Sequence, residues 1–166
     1  MTAVCTAPDG TRAYVLLDCV GDTPVVRSWT RAAARRLARA AAEHADAEAG
    51  LRAEFDHHAA DPARAAGHGL PCAAAVVAVP VPGGLFSVAW SGEARAYLRL
   101  DGHLRLLTEY HNARRACDGG DRNLITACLG KPEATRRPNA SGATRPSSSC
   151  AARPGRAGCC SLPAPV

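Results

Sequence analysis

With 166 residues, 47% of them hydrophobic, the chain is long enough for one domain with a real core, and its composition is that of a globular protein. The formal net charge is +5, yet residues 1–130 hold 14 basic and 14 acidic side chains, so the excess sits in 131–166, where six basic residues meet one acid. That basic stretch has no aromatic residue: it attracts phosphates without offering bases a stacking platform, and no specific nucleic-acid binding is expected of it.

The opening residues (MTAVCTAPDGTR) contain no basic region followed by an apolar run, so no leader is expected and the compartment is taken as cytoplasmic. Residues 13–17 (AYVLL) are a compact apolar run ending at Asp18, which suits a buried strand carrying a carboxylate at its C-terminal end. Asp22-Thr23-Pro24 supplies a cap and an early proline for a helix over 24–48, with Trp29, Ala33, Leu37, Ala40 and His44 on one face. Leu51, Phe55, His58 and Ala59 continue the helical spacing in a shorter helix that Asp61-Pro62 ends, and Gly67-His68-Gly69 is a loop.

Two apolar strands, 72–81 and 85–90, flank Pro82-Gly83-Gly84, and residues 94–100 and 103–107 pair around Asp101-Gly102 as a tight hairpin. Taken in sequence, these four strands predict a meander. Residues 122–129 (RNLITACL) predict a short helix ended by Gly130, and the Pro, Ser, Arg and Gly of 131–166 predict a disordered tail. The expected division is therefore a folded domain over 1–130 and a basic tail over 131–166.

Eight cysteines would suit a disulfide framework in a secreted chain, but their spacing contains neither CxxC nor a Cys/His zinc pattern, so they are read as small buried hydrophobes or tail thiols. The longest apolar run, 72–81, is short of the about 20 residues that a bilayer-spanning helix needs, and no membrane association is expected. Asp56-His57-His58 looks like a metal triplet, yet consecutive helical residues point about 100° apart and cannot face one ion together. Arg95 is expected on a solvated face and His111 in a turn or packing role. Asn139-Ala140-Ser141 fits a glycosylation pattern that has no meaning without secretion.

The stretch from Phe86 to Asn112 carries a resemblance. Gly92-Glu93-Ala94-Arg95-Ala96-Tyr97, then Asp101-Gly102, then Leu107-Thr108-Glu109-Tyr110-His111-Asn112 resemble the central hairpin of the metal-dependent type 2C (PPM-type) serine/threonine protein phosphatases. That family has Gly-Asp-Ser-Arg-Ala-Tyr, Asp-Gly and Leu-Thr-x-Asp-His there, so Glu93 and Tyr110 each stand where the family has Asp. Leu17-Asp18-Cys19-Val20-Gly21-Asp22 is similar to the family's Asp-Gly strand end, with Cys19 in place of glycine. Gly69-Leu70-Pro71-Cys72 falls at its Gly-Thr-Thr, and 123–130 resembles its Leu-Thr-Arg-Ala-Leu-Gly helix. The likeness covers about residues 13–130.

The resemblance implies an α+β fold, an incomplete form of the family's α-β-β-α sandwich, with antiparallel strands and two packed helices. It implies Mg²⁺ or Mn²⁺ as cofactor, with Asp18 as the bridging ligand, the Cys19 carbonyl in place of the glycine carbonyl, and Glu93 as an outer acid; it names no catalytic side chain. The family's chemistry is hydrolysis of phosphoserine and phosphothreonine by a water activated between two metals. The family's N-terminal Arg-x-x-Asn-Glu-Asp strand and its later Ser-Asp-Gly and Asp-Asn strands have no counterpart here, so hydrolysis is expected to be weak or lost. Two alternatives stand beside this: a non-catalytic phosphatase-like module that binds a phosphoprotein or other protein partner, and a degenerate gene product. The Ala/Arg-rich composition suggests a bacterial source.

Overall fold

Alternation governs the second strand. From Arg12 to Cys19, Ala13, Val15 and Leu17 are buried while Arg12, Tyr14, Leu16 and Asp18 are exposed, as expected of a strand with one face on a core. The computed structural model describes residues 1–66, 70–82, 85–109, 111 and 127–130. Among them the element order is β1 (Thr2–Thr6), β2 (Arg12–Cys19), α1 (Pro24–Glu43), α2 (Ala47–Ala59), α3 (Pro62–Ala66), β3 (Ala73–Val81), β4 (Leu85–Ser91), β5 (Tyr97–Leu100) and β6 (His103–Leu106).

The helix start at Pro24 follows from its cap. Thr23 is extended, its hydroxyl accepts the Val26 N–H at 3.2 Å, and Pro24 occupies a first-turn position where a missing N–H costs nothing. Helix α1 ends at Glu43 rather than at 48, because Ala45 turns left-handed (φ 50°) and Asp46 caps a new helix, accepting the N–H groups of Glu48 at 2.6 Å and Ala49 at 3.0 Å. His44 thus lies past the last turn and is exposed. Of the face expected for α1, Ala33 and Leu37 are buried and Trp29 and Ala40 half-buried. The buried stripe runs through Thr30, Ala34, Ala38, Ala41 and Ala42 as well.

Small side chains along that stripe let the helices approach closely. A Cβ on Gly50 of α2 would stand 2.5 Å from the Cα of Ala41, so the crossing requires glycine there. In α2, Leu51 and His58 are buried, Phe55 half-buried and Ala59 exposed.

The four-stranded sheet has the order β1-β2-β3-β4, antiparallel throughout, and β5-β6 form a separate two-stranded sheet. This corrects the expected meander: β3 and β4 pair with each other but not onward to β5, because β4 turns off at Gly92 (φ 89°). The place opposite Ala73 is taken instead by Leu129, with Leu129 N–H to Ala73 O at 2.9 Å and Ala73 N–H to Leu129 O at 3.0 Å. Residues 127–129, expected to end a helix, are therefore extended; the rest of that helix, the 67–69 loop and the 131–166 tail lie outside the described residues.

Strand β1 was not anticipated. It pairs with β2 across a turn at Asp9-Gly10. The Asp101-Gly102 hairpin is as expected, with both residues at positive φ (47° and 80°), the geometry of a two-residue type I′ turn. Helices α1 and α2 lie on one face of the four-stranded sheet, and between them sit Ala13, Val15, Leu17, Leu37, Leu51, Val77, Val79 and Leu129. This is one helical layer on one sheet, an α+β arrangement with antiparallel strands.

Candidate functional site

Backbone register sets out the candidate residues. Asp18 pairs with Ala74 across β2-β3, and Ala75 pairs with Ser91 across β3-β4, so Asp18, Ala74 and Gly92 form one row over three strands. With strands about 4.8 Å apart, Asp18 and Gly92 are separated by about 10 Å. Glu93 follows Gly92 directly, so both candidate acids belong to the same end of the sheet. Asp18 and Glu93 are both exposed.

Cys19 is half-buried in β2, paired with Ala73, and its thiol donates to the Gly21 carbonyl at 3.5 Å. Positive φ falls on Gly21 (90°), not on Cys19, so the side chain at 19 is carried by ordinary strand backbone and nothing there demands glycine.

His111 has the packing role expected of it. Its Nδ1 accepts the Gly92 N–H at 3.2 Å, and its backbone N–H donates to the Gly92 carbonyl at 3.0 Å. Its ring stacks on Trp90 at 6.2 Å between centroids and 12° between planes, and the Trp90 indole N–H donates to the Glu109 carbonyl at 2.8 Å. His111 therefore packs against the bend from which Glu93 projects. Spacing alone could not find this pair, since the two residues are 19 apart in sequence.

A metal needs donors that converge. Among the described residues no group of three or more His, Cys, Asp or Glu side chains comes together to hold one. Asp18, Glu93 and the Cys19 carbonyl amount to two carboxylates and one carbonyl, and a two-ion centre needs several carboxylates around both ions. These residues do not fit a two-metal centre.

Asp56-His57-His58 also separates as helix geometry requires: Asp56 and His57 are exposed and His58 is buried. His58 belongs to a polar cluster linking the helices. Glu54, buried, receives Nη2 of Arg36 at 2.6 Å and Nε of Arg36 at 3.2 Å. His58 Nε2 stands 3.0 Å from the same carboxylate, too oblique for a well-formed hydrogen bond. Burial pushes the Glu54 carboxyl up, but His58 and Arg36 together outweigh it and hold the group below its ordinary value. Beside it, Arg64 is buried, lies 5.0 Å over the Trp29 ring, and donates Nη1 to the carbonyls of Pro71 and Gly130. The cluster fastens α1, α2, α3 and the 127–130 return together. Arg95, as expected, is exposed, and it donates to the Tyr97 hydroxyl at 3.3 Å.

No protein-family model and no curated protein matches the sequence. Among solved structures, the chain is similar to the serine/threonine phosphatase Stp1 of Staphylococcus aureus (14% identity, TM-score 0.48, covering 78% of this chain and 59% of that one). It is also similar to the PPM Ser-Thr phosphatase MsPP of Mycobacterium smegmatis, crystallised with cacodylate (20% identity, TM-score 0.44, covering 79% of this chain and 66% of that one). The chain thus spans less than two thirds of either structure. Both are serine/threonine phosphatases by name.

Proposed function

We propose that this chain is a PPM-type phosphatase-like protein in which hydrolysis of phosphoserine and phosphothreonine is weak or lost. The observation that carries the reading is the row Asp18–Ala74–Gly92, which brings Asp18 and the Glu93 bend to one end of the sheet and leaves them without a third acid among the described residues. Asp18, the Cys19 carbonyl and Glu93 are the groups assigned to that end, and Mg²⁺ or Mn²⁺ the ions such oxygen donors suit. A second reading is a non-catalytic module that binds a protein partner, in keeping with only two carboxylates at that end among the described residues.

The test is hydrolysis of a generic aryl phosphate by purified protein with and without Mn²⁺, beside Asp18→Ala. Slow turnover that needs Mn²⁺ and vanishes in the variant is the result expected of a residual phosphatase. Turnover indifferent to Asp18 or to chelator contradicts the site assignment. A folded protein that is inactive in both forms ends the enzymatic reading and turns the question to partner binding.

A further inference from the structure

Helix α1 turns a row of arginines to solvent. Arg27, Arg31, Arg35 and Arg39 follow one another at every fourth position, all exposed, and the helix holds five arginines against one acid, Glu43 at its last residue. Four residues of helix rise about 6 Å, so the row presents cations at that repeat along one side of the rod. Arg27 is held by Asp22, Nη1 to Oδ1 at 2.9 Å, whereas Arg31, Arg35 and Arg39 make no ion pair among the described residues.

Nothing in the helix itself favours this pattern. Like charges four residues apart repel, and a cation in the first turn opposes the helix dipole; α1 has Arg27 there, no acid in that turn and no base in its last. Helix α2 follows the opposite rule. Glu48 stands in its first turn, His57 and His58 in its last, and Arg52 is answered at 2.6 Å by Glu48, four residues before it. An arginine-rich composition acts on both helices alike and does not account for the difference. Because α1 lies on the covered side of the sheet, its row stays accessible whatever packs on the sheet's other face.

Spacing and charge decide what fits. A guanidinium takes a carboxylate in two parallel N–H···O bonds, and carboxylates at every fourth position of a partner helix repeat at the same about 6 Å. Two such rows run side by side when helices cross at about 50°, the commonest packing class. An anionic bilayer calls for large apolar side chains beside the cations, and of those in α1 only Val25, in the first turn, is exposed. Duplex DNA calls for cations spread over a face that follows its grooves, whereas this is a single row flanked by Ser28 and Ala32 and closed by Glu43. We propose that the Arg31–Arg35–Arg39 face of α1 docks an acidic helical segment of a protein partner. The proposal rests on α1 and not on the sheet-end residues, so it holds whether or not the chain hydrolyses phosphate.

The experiment is fluorescence anisotropy at low ionic strength, with the full chain titrated into a labelled alanine-rich helical peptide carrying glutamate at every fourth position. A second peptide of the same composition has its glutamates scattered round the helix. The ordered peptide is expected to bind at least about fivefold more tightly than the scattered one, and Arg35→Glu and Arg39→Glu each to weaken it by about the same factor. Arg52→Gln, on α2, is expected to leave it unchanged. Arg35→Glu also relieves repulsion with Arg31 and Arg39, so its thermal midpoint is expected to hold or rise while binding falls. No binding, or equal binding of the two peptides, overturns the proposal, the latter leaving only the unregistered attraction of the basic 131–166 stretch. So does binding that the reversals leave intact, or a midpoint that falls in Arg35→Glu, which would make the row a stabilising feature of the fold. Duplex DNA or phosphatidylserine vesicles bound more tightly than the ordered peptide, and released by the same reversals, also overturn it and assign the row to that partner.

Discussion

Gly50→Ala sets two effects of opposite sign against each other. Gly50 lies inside α2, and alanine is the better helix former by about 1 kcal/mol, so propensity alone predicts stabilisation. The added Cβ, however, would stand 2.5 Å from the Cα and Cβ of Ala41 and 2.6 Å from its nitrogen, whereas carbon atoms rest at about 3.5 to 4 Å. The obstacle is the backbone of α1, not the movable end of a side chain. Relief therefore means separating α1 and α2 by about 1 Å, which loosens Ala42, Ala47 and Leu51, all buried near the crossing. Overpacking of this kind costs about 1 to 3 kcal/mol, and with backbone as the neighbour the upper part of that range applies. The net expectation is destabilisation by about 1 to 2 kcal/mol. Urea unfolding followed by far-UV circular dichroism measures it, with the midpoint falling and the slope unchanged. A variant as stable as wild type, or more so, refutes the close crossing.

Glu54→Leu is expected to cost about 2 to 3 kcal/mol, since it leaves His58 buried beside a lost carboxylate; the figure lies below the usual penalty for a broken buried pair because Arg36 can turn to water. The pH dependence has a definite sign. The Glu54 carboxyl is held below its ordinary 4.5, so its contribution is complete above that value and is lost as pH falls through the folded-state value. The gap between wild type and Glu54→Gln in denaturation midpoint is thus expected to narrow below about pH 4.5. Arg64→Met keeps the stem over Trp29 but removes the donors to Pro71 and Gly130, and a loss of about 1 to 3 kcal/mol with altered tryptophan fluorescence is expected. Gly102→Ala meets no atom within 4 Å, so its cost is only the left-handed backbone of the turn, about 1 kcal/mol; a larger loss argues against a freely exposed β5-β6 turn. The continuous core between helices and sheet predicts a single cooperative thermal transition, whereas a degenerate gene product melts broadly.

Local chemistry was legible wherever it was decided locally. Thr23-Pro24 announces the helix that follows, Asp101-Gly102 its hairpin, and the AYVLL run the strand that delivers Asp18 to a sheet end. Strand β1 carries little signal in the sequence, because TAVCT is short and mostly exposed, with little apolar contrast along it. The break between α1 and α2 was hidden in an alanine-rich run with no glycine or proline at the junction; only Asp46 marks it, and the left-handed residue there is Ala45. The meander failed at Gly92, where a long-range choice, Leu129 taking the place beside Ala73, ends the pairing of β4. Within the candidate site, Asp18 and Glu93 were readable as acids at element ends. The packing of His111 on Gly92 and the burial of Glu54 and Arg64 depend on partners that spacing does not reveal, up to 66 residues away.

The most direct test of the phosphatase-like assignment is a calorimetric titration of the full chain with Mn²⁺, wild type beside Asp18→Ala and Glu93→Gln. The account predicts at most one weak site, abolished by Asp18→Ala and weakened by Glu93→Gln, in step with a sheet end at which the described residues offer two carboxylates. Two tight sites, or binding that survives the loss of Asp18, would contradict it.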